Sequence, residues 1–299
     1  MNFRSIGIDS KGIHDLFTLE HLRDFYSTLI DELNYLANNA TADEELITQY
    51  YKRLLNESES QQFYQYNWQR RIQPMVQLLH TIPRREESWR ILDAGCGVGT
   101  ESFLWASLRD DVEVIGVDIS TARLKAASAR RPFYEQQVGR PLSVKFCDQS
   151  VFTVLKEKTF DLIWTMEAIS HIDPAEAFIA ASYASLKTGG HLVISDSHFL
   201  NPAMLWRIFK LRRKGIKHTY KTTSAGETVS YAEERLFSVP RLTRVLYQAG
   251  FNTVQAQISV YFPPRLLASS LFFQAADRML NRLPLVRYLG GIYTISAHK

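Results

Sequence analysis

Cysteine is scarce in this chain, with Cys96 and Cys147 the two present among 299 residues. They lie far apart and form no CxxC pair, which speaks against a disulfide framework or a structural zinc site. A reducing compartment fits, so a cytoplasmic location is expected and no metal is. Long apolar runs are lacking too. No 18 consecutive residues are apolar, so no helical membrane span is expected. The start, Met1-Asn2-Phe3-Arg4, carries no apolar core of a signal peptide. Charge of one sign is also missing: 35 Lys and Arg against 31 Asp and Glu leave a formal +4, too little to imply a nucleic-acid partner. Repeats and low-complexity tracts do not occur. What is present is 45% hydrophobic and 22% charged residues, the composition of a globular chain long enough for one large domain with a cap.

Residues 18–82 read as helical. Leu19, Leu22, Phe25, Leu29 and Leu33 recur every three or four positions, and further helical stretches cover about 42–55 and 59–80. Pro83 and Arg84-Arg85-Glu86-Glu87 then punctuate the chain. This separates an N-terminal helical cap, 1–82, from a second unit, 83–299. In that unit short apolar runs at Arg90–Leu92, Val112–Val117, Ser143–Phe146, Asp161–Met166 and His191–Ser195 alternate with helical stretches, including Thr121–Arg131 and Pro174–Leu186. The alternation predicts an α/β fold, a parallel sheet with helices on both faces. A break at about 198–235 is followed by a helix, Val239–Ala249, stopped by Gly250, and a strand near Thr253–Val260. An apolar helical insert at 263–289 precedes a last strand, Ile292–Ala297.

The strongest local signal is Ile91-Leu92-Asp93-Ala94-Gly95-Cys96-Gly97-Val98-Gly99-Thr100. A buried strand runs into three alternate glycines and then a helix. Glycines allow unusual backbone angles and close ligand approach, and the helix N-terminus offers unpaired N–H groups. Nineteen residues after Gly99, Asp118 ends the second strand, where an acid can accept hydrogen bonds from ribose hydroxyls. A tight turn without a ligand is the plain alternative, and a dinucleotide is the rival occupant. The spacing here is GxGxG rather than GxGxxG. Asp93 would repel a pyrophosphate but suits a cationic amino-acid tail. Both features favour S-adenosylmethionine.

Asp93–Gly99 resembles the first motif of class I, Rossmann-like S-adenosylmethionine-dependent methyltransferases, and Asp118 matches their second. Cys147-Asp148-Gln149, Phe160–Ala168, Leu186–Ile194 with Gly189-Gly190, and Ala249-Gly250-Phe251 resemble later motifs in the family's order, over about 90–260. The resemblance implies a doubly wound, mostly parallel seven-stranded sheet of order 3-2-1-4-5-7-6 with the last strand antiparallel. It implies that Gly95, Gly97 and Gly99 line the methionine part and that Asp93 helps bind its ammonium. Asp118 would hold the ribose, Ile119 pack on adenine, Asp148 with Gln149 meet the adenine amino group, and Thr165 and Met166 touch the tail through their backbone.

Methyl transfer needs an aligned nucleophile, exclusion of water and, for a hydroxyl, a base. His171, after the fourth strand, and His198, after the fifth, are the candidate bases, and Glu167 is a candidate for orienting substrate or stabilising a cation. Packing roles are the alternative for each. The (D/N)PP(Y/F) tetrapeptide of base and glutamine N-methylation is missing. The expectation is therefore O-methylation of a small, apolar acceptor. A lipid or isoprenoid C-methyltransferase and a silent cofactor-binding scaffold are the alternatives. Aromatics ahead of the core, Tyr66 and Trp68 among them, are candidate substrate contacts, plain packing the alternative. Residues 207–221 hold seven Lys or Arg and no acid. This stretch or the apolar 263–289 segment could meet a membrane surface, a solvated face being the alternative; the 263–289 segment could also form a homodimer face.

Overall fold

The computed structural model describes residues 10–42, 44–202, 205–206, 209, 213, 218–222, 228–232 and 237–299. The chain begins with helices α1 (Ser10–Asn39), α2 (Glu45–Tyr50), α3 (Lys52–Asn56) and α4 (Ser58–Thr81). Strand–helix alternation follows: β1 (Trp89–Ala94), α5 (Thr100–Leu108), β2 (Val112–Val117), α6 (Thr121–Val138), β3 (Val144–Cys147), α7 (Val151–Glu157), β4 (Phe160–Met166), α8 (Ala175–Ser185) and β5 (Leu186–Ser197). A hairpin of β6 (His218–Thr222) and β7 (Thr228–Ala232) stands apart as its own two-stranded sheet, within the expected break. Then come α9 (Val239–Ala249), β8 (Thr253–Ser259), α10 (Pro264–Ser269), α11 (Leu271–Leu280) and β9 (Ile292–His298).

The large sheet has the order β3-β2-β1-β4-β5-β9-β8. Leaving out the hairpin, this is the expected 3-2-1-4-5-7-6. β1 to β5 pair in parallel, and β9 runs antiparallel to both β5 and β8. The central strands read as continuous apolar runs because both faces are covered. On one face Ile91, Val114, Leu162, Trp164 and Val193 pack against α1, α4, α5 and α6. On the other Leu92, Ile115, Ile163 and Ile194 pack against α7, α8 and α9. The strand order reverses between β1 and β4, and a crevice opens at their carboxyl ends. Among the described residues no helix is long and apolar enough to cross a membrane.

Two prolines sit inside helices. The expected helix ending at Arg131 runs on through Pro132 to Val138, because Arg130 and Tyr134 on either side are anchored to one carboxylate, Glu32. In α4, Pro74 cannot donate to the carbonyl four residues back, that of Arg70. Gln257 of β8 supplies the missing donor at 2.8 Å, and Thr294 of β9 donates to the Arg71 carbonyl at 3.1 Å. Pro74 thus frees the bond that fastens α4 to the sheet. Ile72, Met75, Val76 and Leu79 are fully buried there. Residues 58–81 therefore pack on the sheet together with Leu22, Phe25 and Tyr26 of α1, while the later part of α1 with α2 and α3 packs on Val98 of the glycine turn.

A buried network holds α1 on that turn. Arg130 donates to both Glu32 oxygens at 2.8 and 2.6 Å, to the Val98 carbonyl at 2.7 Å and to Thr100 Oγ1 at 2.8 Å. Tyr134 donates to Glu32 at 2.8 Å, and the Tyr51 hydroxyl meets Thr100 Oγ1 at 2.6 Å. Arg130 and Glu32 are almost fully buried. Replacing one of them leaves the other's charge unpaired in the interior, a loss of about 3–5 kcal/mol. Arg130→Met should lower stability in urea melts by that order, and adding Glu32→Gln should recover part of it. An Arg130→Met protein as stable as the parent would contradict this role.

Candidate active site

The β1–α5 turn is shaped by what lies beneath it. Gly95 has φ +79°, and a Cβ there would fall 2.4 Å from the Ala168 Cβ, so only glycine lets the turn come this close to the segment after β4. Gly99, also at φ +79°, starts α5, and a Cβ there would strike the Phe146 ring. Gly97 faces open space. The turn forms one wall of a cavity of about 260 Å³. Val117, Asp118 and Ile119 at the end of β2 form a second wall, Gln149, Val151 and Phe152 a third, and Met166, Glu167, Ala168, His171, Ile172 and Asp173 the fourth.

Asp118 is nearly buried, and its carboxylate is held by backbone. Oδ2 accepts from the Gly97 N–H at 3.0 Å and Oδ1 from the Ser120 N–H at 2.8 Å. Each oxygen keeps a lone pair, which suits two vicinal hydroxyls presented from the cavity. Arg123 Nη1 lies 3.8 Å from Oδ2.

Of the residues expected from sequence, Gly95, Gly97, Asp118, Ile119, Gln149, Met166, Glu167 and His171 line this one cavity. Others do not. Gly99 packs behind the turn, and Thr165 is fully buried in β4. Asp148 sits next to Gln149, with Thr121 Oγ1 donating to its Oδ2. Asp93 is buried beneath the turn, accepting from Ser102 Oγ at 2.6 Å. The expectation is that it helps bind the ammonium; Asp93 itself does not line the cavity. Glu101, in the first turn of α5, faces the cavity instead, with Trp68 Nε1 donating to it at 2.9 Å.

His198 is also corrected. It is fully buried, its Nδ1 is 3.1 Å from the Gly290 carbonyl, and its Nε2 accepts from the Val239 N–H at 3.3 Å. Both ring nitrogens are engaged in holding the start of α9 against the turn before β9, and burial lowers its pKa. The aromatic expectations change likewise. Tyr66 turns away to donate to Asp277 of α11 at 2.7 Å, and Trp68 is buried behind Glu101. The tyrosine on the cavity wall is Tyr50, at the end of α2. Nothing in the spacing of 42–55 brings it to the glycine turn, whereas an acid in a helix's first turn could have flagged Glu101.

Glu167 follows β4 in the left-handed region, φ +52°, a strained angle for a glutamate. Its N–H is bonded to the Ser195 carbonyl at 2.9 Å, and its carboxylate is paired with the buried Arg71 of α4. Arg71 is a residue that sequence reasoning missed. Asp196, at the end of β5, accepts from the Ser170 and Ser197 N–H groups at 3.2 and 2.7 Å, and burial raises its pKa.

Residues 61–256 match the family described as Methyltransferase domain. The chain belongs to that family. The chain is 30% identical over 175 residues to phosphoethanolamine N-methyltransferase 1 of Triticum aestivum, a match covering 56% of this chain and 29% of that protein. It is 30% identical over 110 residues to erythromycin 3''-O-methyltransferase of Saccharopolyspora erythraea, covering 37% of this chain and 35% of the other. With ubiquinone biosynthesis O-methyltransferase of Bradyrhizobium it shares 29% identity over 176 residues, covering 58% and 62%. The matches thus span less than two thirds of each of these relatives. A solved S-adenosylmethionine-dependent methyltransferase of Thermotoga maritima, titled a possible histamine N-methyltransferase, shares the fold with a TM-score of 0.50 at 16% identity, over 86% of this chain and 97% of that one.

Two outcomes are expected. Asp118→Ala should weaken S-adenosylmethionine binding by roughly 1.5–3 kcal/mol, the range for hydrogen bonds to a charged group, read by calorimetry. Unchanged affinity would remove its ribose role. Burial and the neighbouring Glu101 push the Asp93 carboxyl from 3.8 up to about 8. A raised folded-state pKa gives stability that is present at low pH and lost as pH rises through it. The protein should lose stability between about pH 4 and pH 8, by up to about 1.4 kcal/mol per unit. Asp93→Asn should flatten that slope and exceed the parent at pH 8.5 in urea melts; parallel slopes would refute the assignment.

Proposed function

We propose that the enzyme transfers a methyl group to a hydroxyl oxygen of a small, largely apolar acceptor, with His171 as general base. The observation that carries this reading is that His171 and Asp118 line one cavity. A base there lies on the same wall as the carboxyl end of β4, where an in-line nucleophile has to enter.

S-adenosylmethionine, when bound, supplies a methyl carbon activated by its sulfonium. The chain does the rest. Backbone at Gly95, Gly97 and Met166 borders the methionine part, and Glu101 offers a carboxylate to its ammonium. Asp118 holds the ribose. Ile119 and Phe152 flank the adenine, with Gln149 at its amino group. Tyr50 closes the open side and limits water. His171 would take the hydroxyl proton as the acceptor oxygen gains the methyl group that the sulfonium sulfur gives up.

Carbon methylation would call on Glu167 to stabilise a carbocation. Its pairing with Arg71 argues against this, because a neutralised carboxylate has little field left to offer. The relatives' names include both O- and N-methyltransferases. The acceptor atom is therefore tested directly, by methyl transfer from labelled S-adenosylmethionine to matched hydroxyl and amine acceptors. Hydroxyl acceptors should be preferred, and exclusive amine methylation would overturn the proposal. With an active hydroxyl acceptor, His171→Ala should lower kcat by about 10²–10⁴-fold. Cofactor affinity should stay within twofold. Full turnover in this variant would eliminate His171 as base.

A further inference from the structure

Helix α11 is turned inside out. Asp277 is its only acid, and it is fully buried. Its Oδ1 accepts from the Tyr261 N–H at 2.7 Å, and its Oδ2 accepts from Tyr66 at 2.7 Å and from the Val260 N–H at 3.3 Å. These bonds fix the helix's rotation. The same rotation sends Leu271, Phe272 and Met279 outward, 81%, 74% and 67% exposed. Leu283, Leu285 and Leu289 extend the exposed apolar face toward β9. A buried carboxylate pinned by three donors, opposite a row of solvent-facing apolar side chains, is the reverse of an ordinary surface helix.

The face continues onto the segment after β5. Asn201 Nδ2 donates to the Leu289 carbonyl at 2.8 Å, and beyond it Leu205, Trp206 and Phe209 are exposed, with the Arg213 guanidinium 5.6 Å from the Phe209 ring. Both segments spring from the carboxyl end of β5 and its neighbour β9, through Ser197 and Ile292, which are paired in register. That is the sheet edge on which the cofactor cavity opens.

Charge selects the occupant. Between 263 and 289 Asp277 is the sole acid, while Arg265, Arg278 and Arg282 are exposed, the first of them 3.5 Å from Glu59. Arg213, beside Phe209, adds a further cation. Two copies meeting through this face about a twofold axis would set arginines against arginines. An anionic surface with an apolar interior meets both properties at once. We propose that this face docks the enzyme on anionic phospholipid bilayers, seating the mouth of the site where an apolar acceptor would be dissolved.

The test is co-sedimentation of the full chain with phosphatidylcholine vesicles and with vesicles containing 30% phosphatidylglycerol. Binding to the anionic vesicles is expected, weakening at least tenfold in 0.5 M salt. Leu271→Asp with Phe272→Asp, or separately Arg278→Glu with Arg282→Glu, should reduce binding at least tenfold. Affinity for S-adenosylmethionine in solution should be unchanged, which reports an intact fold without invoking any acceptor. Sinking outcomes are no binding to anionic vesicles, equal binding to both compositions, or indifference to these substitutions. A solution dimer dissolved by Phe272→Asp would likewise overturn the proposal, by assigning the face to a second copy.

Discussion

The site depends on one close approach. The β1–α5 turn lies against Ala168 so tightly that a single methyl group at position 95 would overlap it. This contact sets the spacing between the carboxyl ends of β1 and β4, the two strands between which the sheet order reverses. The rest of the crevice follows from that spacing. The turn's own N–H at Gly97 reaches Asp118 and orients it, so the loop that narrows the cavity also aims its acid. Binding groups fixed by backbone in this way lose little freedom when a ligand arrives.

Charges buried around the turn link it to distant parts of the chain. Arg130 reads the carbonyl of Val98 with one nitrogen and the carboxylate of α1 with two, so the first long helix and the glycine turn share one guanidinium. Arg71 does something similar from α4, holding the glutamate that follows β4. Neither pair is a cheap way to gain stability, because desolvating an ion offsets much of its attraction. Their value lies in register: a helix placed by a multidentate bond cannot slide by a turn without stranding a charge.

Much of the fold could be read from residue patterns, and the site only partly. The strands were legible because Ile91-Leu92, Val114–Val117 and Phe160–Thr165 are apolar runs cut by turns, and parallel sheets bury both faces. Gly95, Gly97 and Asp118 were legible because backbone geometry at such a turn permits few residues. Side chains whose partners are remote in sequence were not. His198 and His171 look alike along the chain, yet one is spent on the turn before β9 and the other faces the cavity. Asp93 lies buried in β1 while Glu101, on α5, faces the cavity, a difference that the glycine motif does not encode. Tyr50 reaches the cavity only through the packing of α1–α3, which no local pattern encodes. The helix through Pro132 shows the same limit, with tertiary anchoring overriding a local stop signal.

The position of β9 has a further consequence. It fills the slot between β5 and β8, bonded to both along its whole length. Until residues 292–298 arrive, β8 has no neighbour, α9 rests on half a floor, and the apolar side chains of β5 lack a wall. Closure of the sheet is thus deferred to the segment synthesised after every other strand, and a nascent chain would expose an unpaired strand edge until then, an interval in which a chaperone or a wrong strand could take the vacant place.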